Sequence, residues 1–105
     1  MRAVMRVNTF DEDKLGAASE QLDEFDRIHA EQRGLVGNVT VDLGAGRRFV
    51  LNLWESAADQ QAGLQALGPL VERLVNPLLA EPSQLIGDGD VIGFDIDPTA
   101  RFHTD

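Results

Sequence analysis

The sequence predicts an α+β domain in which two helices cover one face of an antiparallel sheet, in the order strand, helix, strand, strand, helix, strand. Three observations predict it. A helix-stopping glycine, Gly34, leads into the alternating run Val36–Leu43. A Gly44-Ala-Gly46 turn joins that run to a second apolar strand, Arg48–Glu55. A stripe of apolar residues at helical spacing lies on either side of this hairpin. The order is the ferredoxin-like βαββαβ arrangement.

The first strand is read over Ala3–Phe10, where Met5 and Val7 alternate with Arg6 and Asn8. Thr9-Phe-Asp-Glu12 fits a capping box, with Asp11 as the rival N-cap. Leu15, Ala18, Leu22, Phe25 and His29 recur at steps of three and four, which makes one buried helical stripe ending at Gly34. In the hairpin, Val39, Val41 and Leu43 share one face, and Asn38, Thr40 and Asp42 the other. On the return strand Phe49, Leu51 and Leu53 are expected toward the helices, and Val50, Asn52 and Trp54 away from them. Ser56-Ala-Ala-Asp59 is a second capping box and opens a helix to about Leu67. Gly68-Pro69 is expected to break and restart that helix, and Asn76-Pro77 to kink or end it. Gly87-Asp-Gly89 reads as a turn and Val91–Ile96 as the last strand, with Ile92, Phe94 and Ile96 on the core face. One domain spans residues 1–97, and residues 98–105 form a loose tail.

At 105 residues there is room for one domain. A net charge of −9, spread along the chain, disfavours nucleic acid and anionic membranes as partners. The absence of cysteine removes disulfides, thiolate nucleophiles, iron–sulfur clusters and cysteine zinc sites together. MRAVMRVNTF holds no apolar run long enough for a signal peptide or a membrane span, so a cytoplasmic protein is expected.

This arrangement leaves one sheet face without helices. With the phase above, that face carries Asn38, Thr40, Val50, Asn52 and Trp54, joined by Arg6 and Asn8. A mixed face that includes a tryptophan and valines calls for a cover. Pairing with a second copy about a two-fold axis is the simplest one, so a homodimer is expected.

Arg33-Gly-Leu-Val-Gly37 after the first helix, the hairpin, and Leu53-Trp54-Glu55-Ser56 running into an alanine-rich helix resemble the dimeric α+β barrel superfamily. Within it the chain is most similar to the antibiotic-biosynthesis-monooxygenase-like proteins, over about residues 2–97. The resemblance implies a homodimer whose two sheets form one barrel, with a pocket between sheet and helices in each subunit. It also implies oxidation of a quinol-like or aromatic polyketide-like substrate by O₂ without metal or flavin, hence no cofactor. The haem-degrading relatives use an asparagine placed like Asn8 together with a histidine on the second helix. Residues 57–81 contain no histidine, so that route is set aside.

Cofactor-free oxygenation needs an apolar site, removal of a proton, and donors for the developing oxyanion. The catalytic candidates are Asn52, Trp54 and His29, and the substrate-binding candidates are Asn8 and Arg6. Four of the five have a second reading: Trp54 as a plug between sheet and helix, Asn52 as part of a network across the dimer, Asn8 as a strand-end hydrogen-bonding residue, His29 as a helix-end residue favoured by the dipole. The chain has no tyrosine, although similar sites use one. His103 lies in the tail and has no role. Arg47-Arg48 is read as a solvated hairpin tip that could neutralise an anion, and Asp88 and Asp90 as too short a stretch for calcium. The alternative to an oxygenase is a non-catalytic dimeric domain that binds a small apolar or aromatic molecule. An isomerase or lyase with a His29 or Asp42 base is a third reading.

Overall fold

The computed structural model describes residues 1–97 and 99. The tail expected at 98–105, with His103, therefore lies outside the described residues apart from Thr99. The elements are β1 (Arg2–Thr9), α1 (Glu12–Gly16), α2 (Ser19–Ala30), β2 (Leu35–Gly44), β3 (Arg47–Trp54), α3 (Ala57–Leu70) and β4 (Gln84–Asp90). A π-helical turn over Val71–Val75 and a 3₁₀ turn over Asn76–Leu78 follow α3. The strands form one antiparallel sheet in the order β2-β3-β1-β4. The predicted α+β, ferredoxin-like architecture is the observed one.

The expected first helix is two. Asp11, not Thr9, is the N-cap of α1, and its carboxylate accepts from the backbone N–H groups of Asp13 and Lys14. The chain bends at Ala17 and restarts in α2, yet Ala18 is buried with Phe10, Val75 and Leu78, and Leu15, Leu22 and Phe25 pack against that cluster. The apolar stripe thus survives the break. Ala45 and Gly46 both have positive φ, as a two-residue type I′ hairpin requires. The carbonyl of Gly46 accepts from the N–H of Phe10 at 2.8 Å, which ties the hairpin tip to the end of β1.

Three expectations are corrected. First, α3 does not break at Gly68-Pro69: it runs to Leu70 with Pro69 inside. The irregularity falls one residue later, in the π turn, where the Asn76 N–H reaches back to the Val71 carbonyl. The Gln21 side chain donates to the Leu74 carbonyl at 2.7 Å and holds the turn against α2. Second, the last strand is Gln84–Asp90, not Val91–Ile96, and Gly87-Asp-Gly89 lies in it, not in a turn. Arg2 holds this strand to β1 through Asp88 at 2.9 Å and Asp90 at 3.1 Å, a pairing that local turn propensity does not encode. Ile92, Phe94 and Ile96 are exposed, Ile92 fully.

The third correction is the strand phase. Arg6, Asn8, Asn38, Arg48, Val50 and Asn52 face the helices, around a cavity they share with Leu22, Phe25, His29 and Val75. Val4, Trp54 and Leu67 form the second core cluster on this same side, with Ile28 and Leu70 against it. By alternation Phe49, Leu51 and Leu53 lie on the outer face, the reverse of the expected phase. There Leu51 sits between Met5 and Val39, and Phe49 between Val7 and Val41. Val39, Val41 and Leu43 are 42–48% exposed. The bare face is thus the apolar one, and the polar face is enclosed by helices.

Candidate functional site

The cavity between sheet and helices measures about 990 Å³. Its floor is the polar face of β1, β3 and β2; α2 and the π turn form its walls, and the 79–83 segment lies at its rim. Alternation delivers the floor residues at fixed spacings. On β3, Arg48, Val50 and Asn52 point into it in turn, opposite Asn8, Arg6 and Val4 of β1.

At one end stand His29, Asn38 and Asn52. Asn38 is the β2 register partner of Asn52. The Asn38 amide lies 3.2 Å from His29 Nδ1. Two arrangements satisfy this contact: the amide N–H donates to Nδ1, leaving the proton on Nε2, or Nδ1–H donates to the amide oxygen, leaving Nε2 as a free base. The Asn52 amide makes no side-chain hydrogen bond among the described residues, so its donors are available to a ligand.

His29 is buried at 9% exposure and its ring lies 5.7 Å from that of Phe25 and 6.2 Å, edge on, from that of Trp54. Burial pushes its imidazole below the usual range. The native state therefore keeps His29 neutral where the unfolded chain, with an imidazole near its ordinary value of about 6.5, takes up a proton. Below that pH the unfolded state binds more protons, so stability falls as the pH drops. The thermal midpoint of the wild type is expected to fall from about pH 7 to pH 5, and to fall less in His29→Gln. Equal slopes in the two proteins would mean that carboxylates carry the whole dependence.

At the other end, Asn8 Oδ1 accepts from the Ser83 hydroxyl, and the Arg6 guanidinium reaches Ser83 Oγ at 3.5 Å. The Arg48 guanidinium lies 5.3 Å from the centroid of the Phe10 ring. Asp26, at the rim on α2, has its carboxyl pushed up by burial and by Asp23, against an opposing pull from Arg48.

Of the five predicted site residues, Asn52, His29, Asn8 and Arg6 line this one cavity. Trp54 does not line it. It is 1% exposed, packed edge-on to His29 and against Gly63 of α3, and its indole N–H has no partner among the described residues. Its plug reading is the one its position fits. The expectation that Asn52 and Trp54 turn away from the helices, toward a partner sheet, is overturned by the strand phase. Sequence reasoning missed Asn38 and gave Arg48 to solvent. The signal for both was their alternation with outer-face residues, Val39 and Phe49, once the phase is set. No group of three or more histidine, aspartate or glutamate side chains able to hold a metal ion occurs among the described residues.

No family model and no curated protein matches this sequence. Solved structures do. A protein of unknown function from Nitrosomonas europaea is 13% identical with a TM-score of 0.74, over 91% of this chain and 93% of that one. An antibiotic biosynthesis monooxygenase is 12% identical with a TM-score of 0.71, over 89% of this chain and 100% of that one. SnoaB from Streptomyces nogalater, a cofactor-independent oxygenase, was solved as a mutant; it is 12% identical with a TM-score of 0.71, over 89% of this chain and 94% of that one. Among the described residues no helix is long and apolar enough to cross a membrane. The architecture of this chain is the fold of these solved structures, an antibiotic biosynthesis monooxygenase and SnoaB among them.

Proposed function

We propose that the protein is a cofactor-independent monooxygenase acting on a quinol-like or aromatic polyketide-like substrate in the cavity between sheet and helices. The observation that carries the reading is the gathering of a neutral buried histidine and two register-paired asparagines at one end of a cavity with aromatic walls. SnoaB's description as a cofactor-independent oxygenase on the same fold supports it.

The chemistry follows from the groups present. A hydroxyl of the substrate loses its proton to His29, in the arrangement with Nε2 free. The chain has no tyrosine to share this task. The Asn52 amide donates to the resulting oxyanion. The hydroxyl is that of the enol tautomer, and its anion passes one electron to O₂. The two radicals combine at the conjugated ring C–H carbon (the methylene carbon of the keto form), and the peroxide takes the proton back from His29. The hydroperoxide so formed loses water to leave a carbonyl. One oxygen atom enters the ring and the other leaves as water, and the methylene carbon supplies the electrons. Phe10 and Phe25 give the apolar surroundings a planar ring needs.

Oxygen uptake with a panel of anthrones and hydroquinones tests the proposal. Uptake above the blank is expected, with kcat reduced about a hundredfold in Asn52→Ala. A ligand that binds tightly, shown by thermal shift, and is never converted would replace the oxygenase by a small-molecule-binding domain.

We further infer that the working form is a homodimer closed through the outer sheet face. That face is apolar and nearly free of charge in a chain of net charge −9, so two copies can meet there without carboxylates opposing.

A further inference from the structure

Three arginines on this chain find carboxylates: Arg2 with Asp88 and Asp90, Arg27 with Glu31, and Arg73 with Glu24. The two that point into the cavity, Arg6 and Arg48, form no ion pair within 4.0 Å among the described residues. Acidic side chains outnumber basic ones 18 to 9 in this protein, so guanidinium groups without an ion pair in this cavity call for a physical reason. Neither group is free to wander. Arg6 is partly buried and reaches Ser83 at 3.5 Å. Arg48 is partly buried and laid over the Phe10 ring. The two stand diagonally across β1 and β3 on one face, at a backbone separation of about 7–8 Å. Three acids stand near Arg48 or the cavity without pairing with either guanidinium within 4.0 Å. Asp42, the β2 register partner of Arg48, turns its carboxylate to the Gly44 N–H at 2.8 Å. Asp26 on α2 only feels the Arg48 charge at a distance, and Glu81 is exposed at the rim.

We propose that Arg6 and Arg48 anchor a carboxylate of the substrate, so that the ligand is an aromatic hydroxy acid with the acid group at the opposite end from the reacting hydroxyl. The proposal rests on the oxygenase reading for which end reacts, but not for the anchoring itself. Arg48 and Asn52 are four residues apart on one strand, about 13 Å along the floor. The long arginine side chains shorten that span to one that a fused aromatic ring system can bridge. A guanidinium fork binds a carboxylate with two parallel hydrogen bonds, which fixes both position and orientation. Anchored so, the ring lies along Phe10 and Phe25 and presents its hydroxyl to His29 and Asn52. A neutral ligand of the same shape lacks this register.

The test uses two probes that differ only in the acid: 6-hydroxy-2-naphthoate and 2-naphthol. Neither needs to be oxidised, so binding is read by calorimetry without reference to turnover. The wild type is expected to bind the naphthoate at least tenfold more tightly, with a preference that weakens as salt rises. Arg6→Gln and Arg48→Gln are each expected to cut that preference by about tenfold or more while leaving 2-naphthol affinity within about twofold. Arg6→Lys and Arg48→Lys keep a charge without the fork. They are expected to retain part of the preference, and they stand in where a glutamine variant does not fold. Equal affinity for the two probes, or a preference untouched in all four variants, overturns the proposal. Selective acid binding without oxygen uptake from any hydroxy acid would overturn the oxygenase reading and leave the anchor standing.

Discussion

Trp54→Ala is expected to lower the unfolding free energy by about 3–5 kcal/mol, the largest loss from any single truncation in this fold. The indole is 1% exposed and joins Val4 of β1 to Leu67 of α3 in the second core cluster. Its six-membered ring sits so close to α3 that a Cβ built on Gly63 would collide with Cη2 and Cζ3. Gly63→Ala should therefore cost about 1–3 kcal/mol through overpacking, although alanine is worth about 0.8–1.0 kcal/mol more than glycine inside a helix. The two effects share one cause, which a double-mutant cycle exposes. Trp54→Phe withdraws Cη2 and Cζ3 and also removes the unpaired indole N–H, so it should cost less than Trp54→Ala. In that background Gly63→Ala should become neutral or stabilising. The coupling read from urea denaturation at one fixed protein concentration should exceed about 1 kcal/mol. Additivity within about 0.5 kcal/mol would mean that Gly63 is glycine for some reason other than the ring.

This packing also explains what the sequence could and could not reveal. Element order was legible because the hairpin turn, the Ser56 cap and the Leu15-to-His29 stripe are local signals, and local signals survived folding. Ser56 Oγ does accept from the Asp59 N–H at 3.1 Å, and Gly34 does take positive φ. The strand phase was not legible. Alternation divides Phe49, Leu51 and Leu53 from Val50, Asn52 and Trp54, but it does not say which set meets the helices. The rule that apolar residues face the helices fails here, because the helices enclose a polar-floored cavity. The decisive residues are at the strand ends: Trp54, paired with Arg2, and its neighbour Val4 are buried beneath α3, and they carry the whole strand's phase with them. Once that phase is set, Asn52 and Arg48 move from solvent or interface to the cavity floor, and Asn38 comes with them. β4 was misplaced for a related reason. Its glycines pair with Ala3 and Met5, and its aspartates are held by Arg2, both long-range facts that turn propensity outweighs in a local reading.

The corrected phase makes a second large effect specific. Leu51→Lys is expected to convert a homodimer, of mass twice 11.5 kDa, into a folded monomer of 11.5 kDa by light scattering, with the far-ultraviolet dichroism of the wild type retained. Leu51 lies at the centre of the outer face, with Met5 on one side and Val39 on the other, and its side chain points away from the helices. In a two-fold interface the same residue occurs on both sides, so one substitution places two ammonium groups in one apolar layer. Removing both from water costs several kcal/mol with no carboxylate nearby to offset it, enough to weaken association by more than about a hundredfold. Leu64→Lys provides the control. Leu64 is 46% exposed on α3, away from the sheet, and the same change there should leave the mass unaltered. Were the strand phase the reverse, Leu51→Lys would instead bury a charge under α2 and α3 and the chain would unfold. A monomeric wild type at micromolar concentration would leave the outer face without a second copy to cover it and would end the dimer reading. A dimeric Leu51→Lys variant would keep the dimer but move its contact to another surface. The cavity residues Asn52 and His29 point to the opposite side of the sheet from Leu51. A folded Leu51→Lys monomer should therefore still bind 6-hydroxy-2-naphthoate, which separates what the outer face contributes to assembly from what the inner face contributes to the ligand.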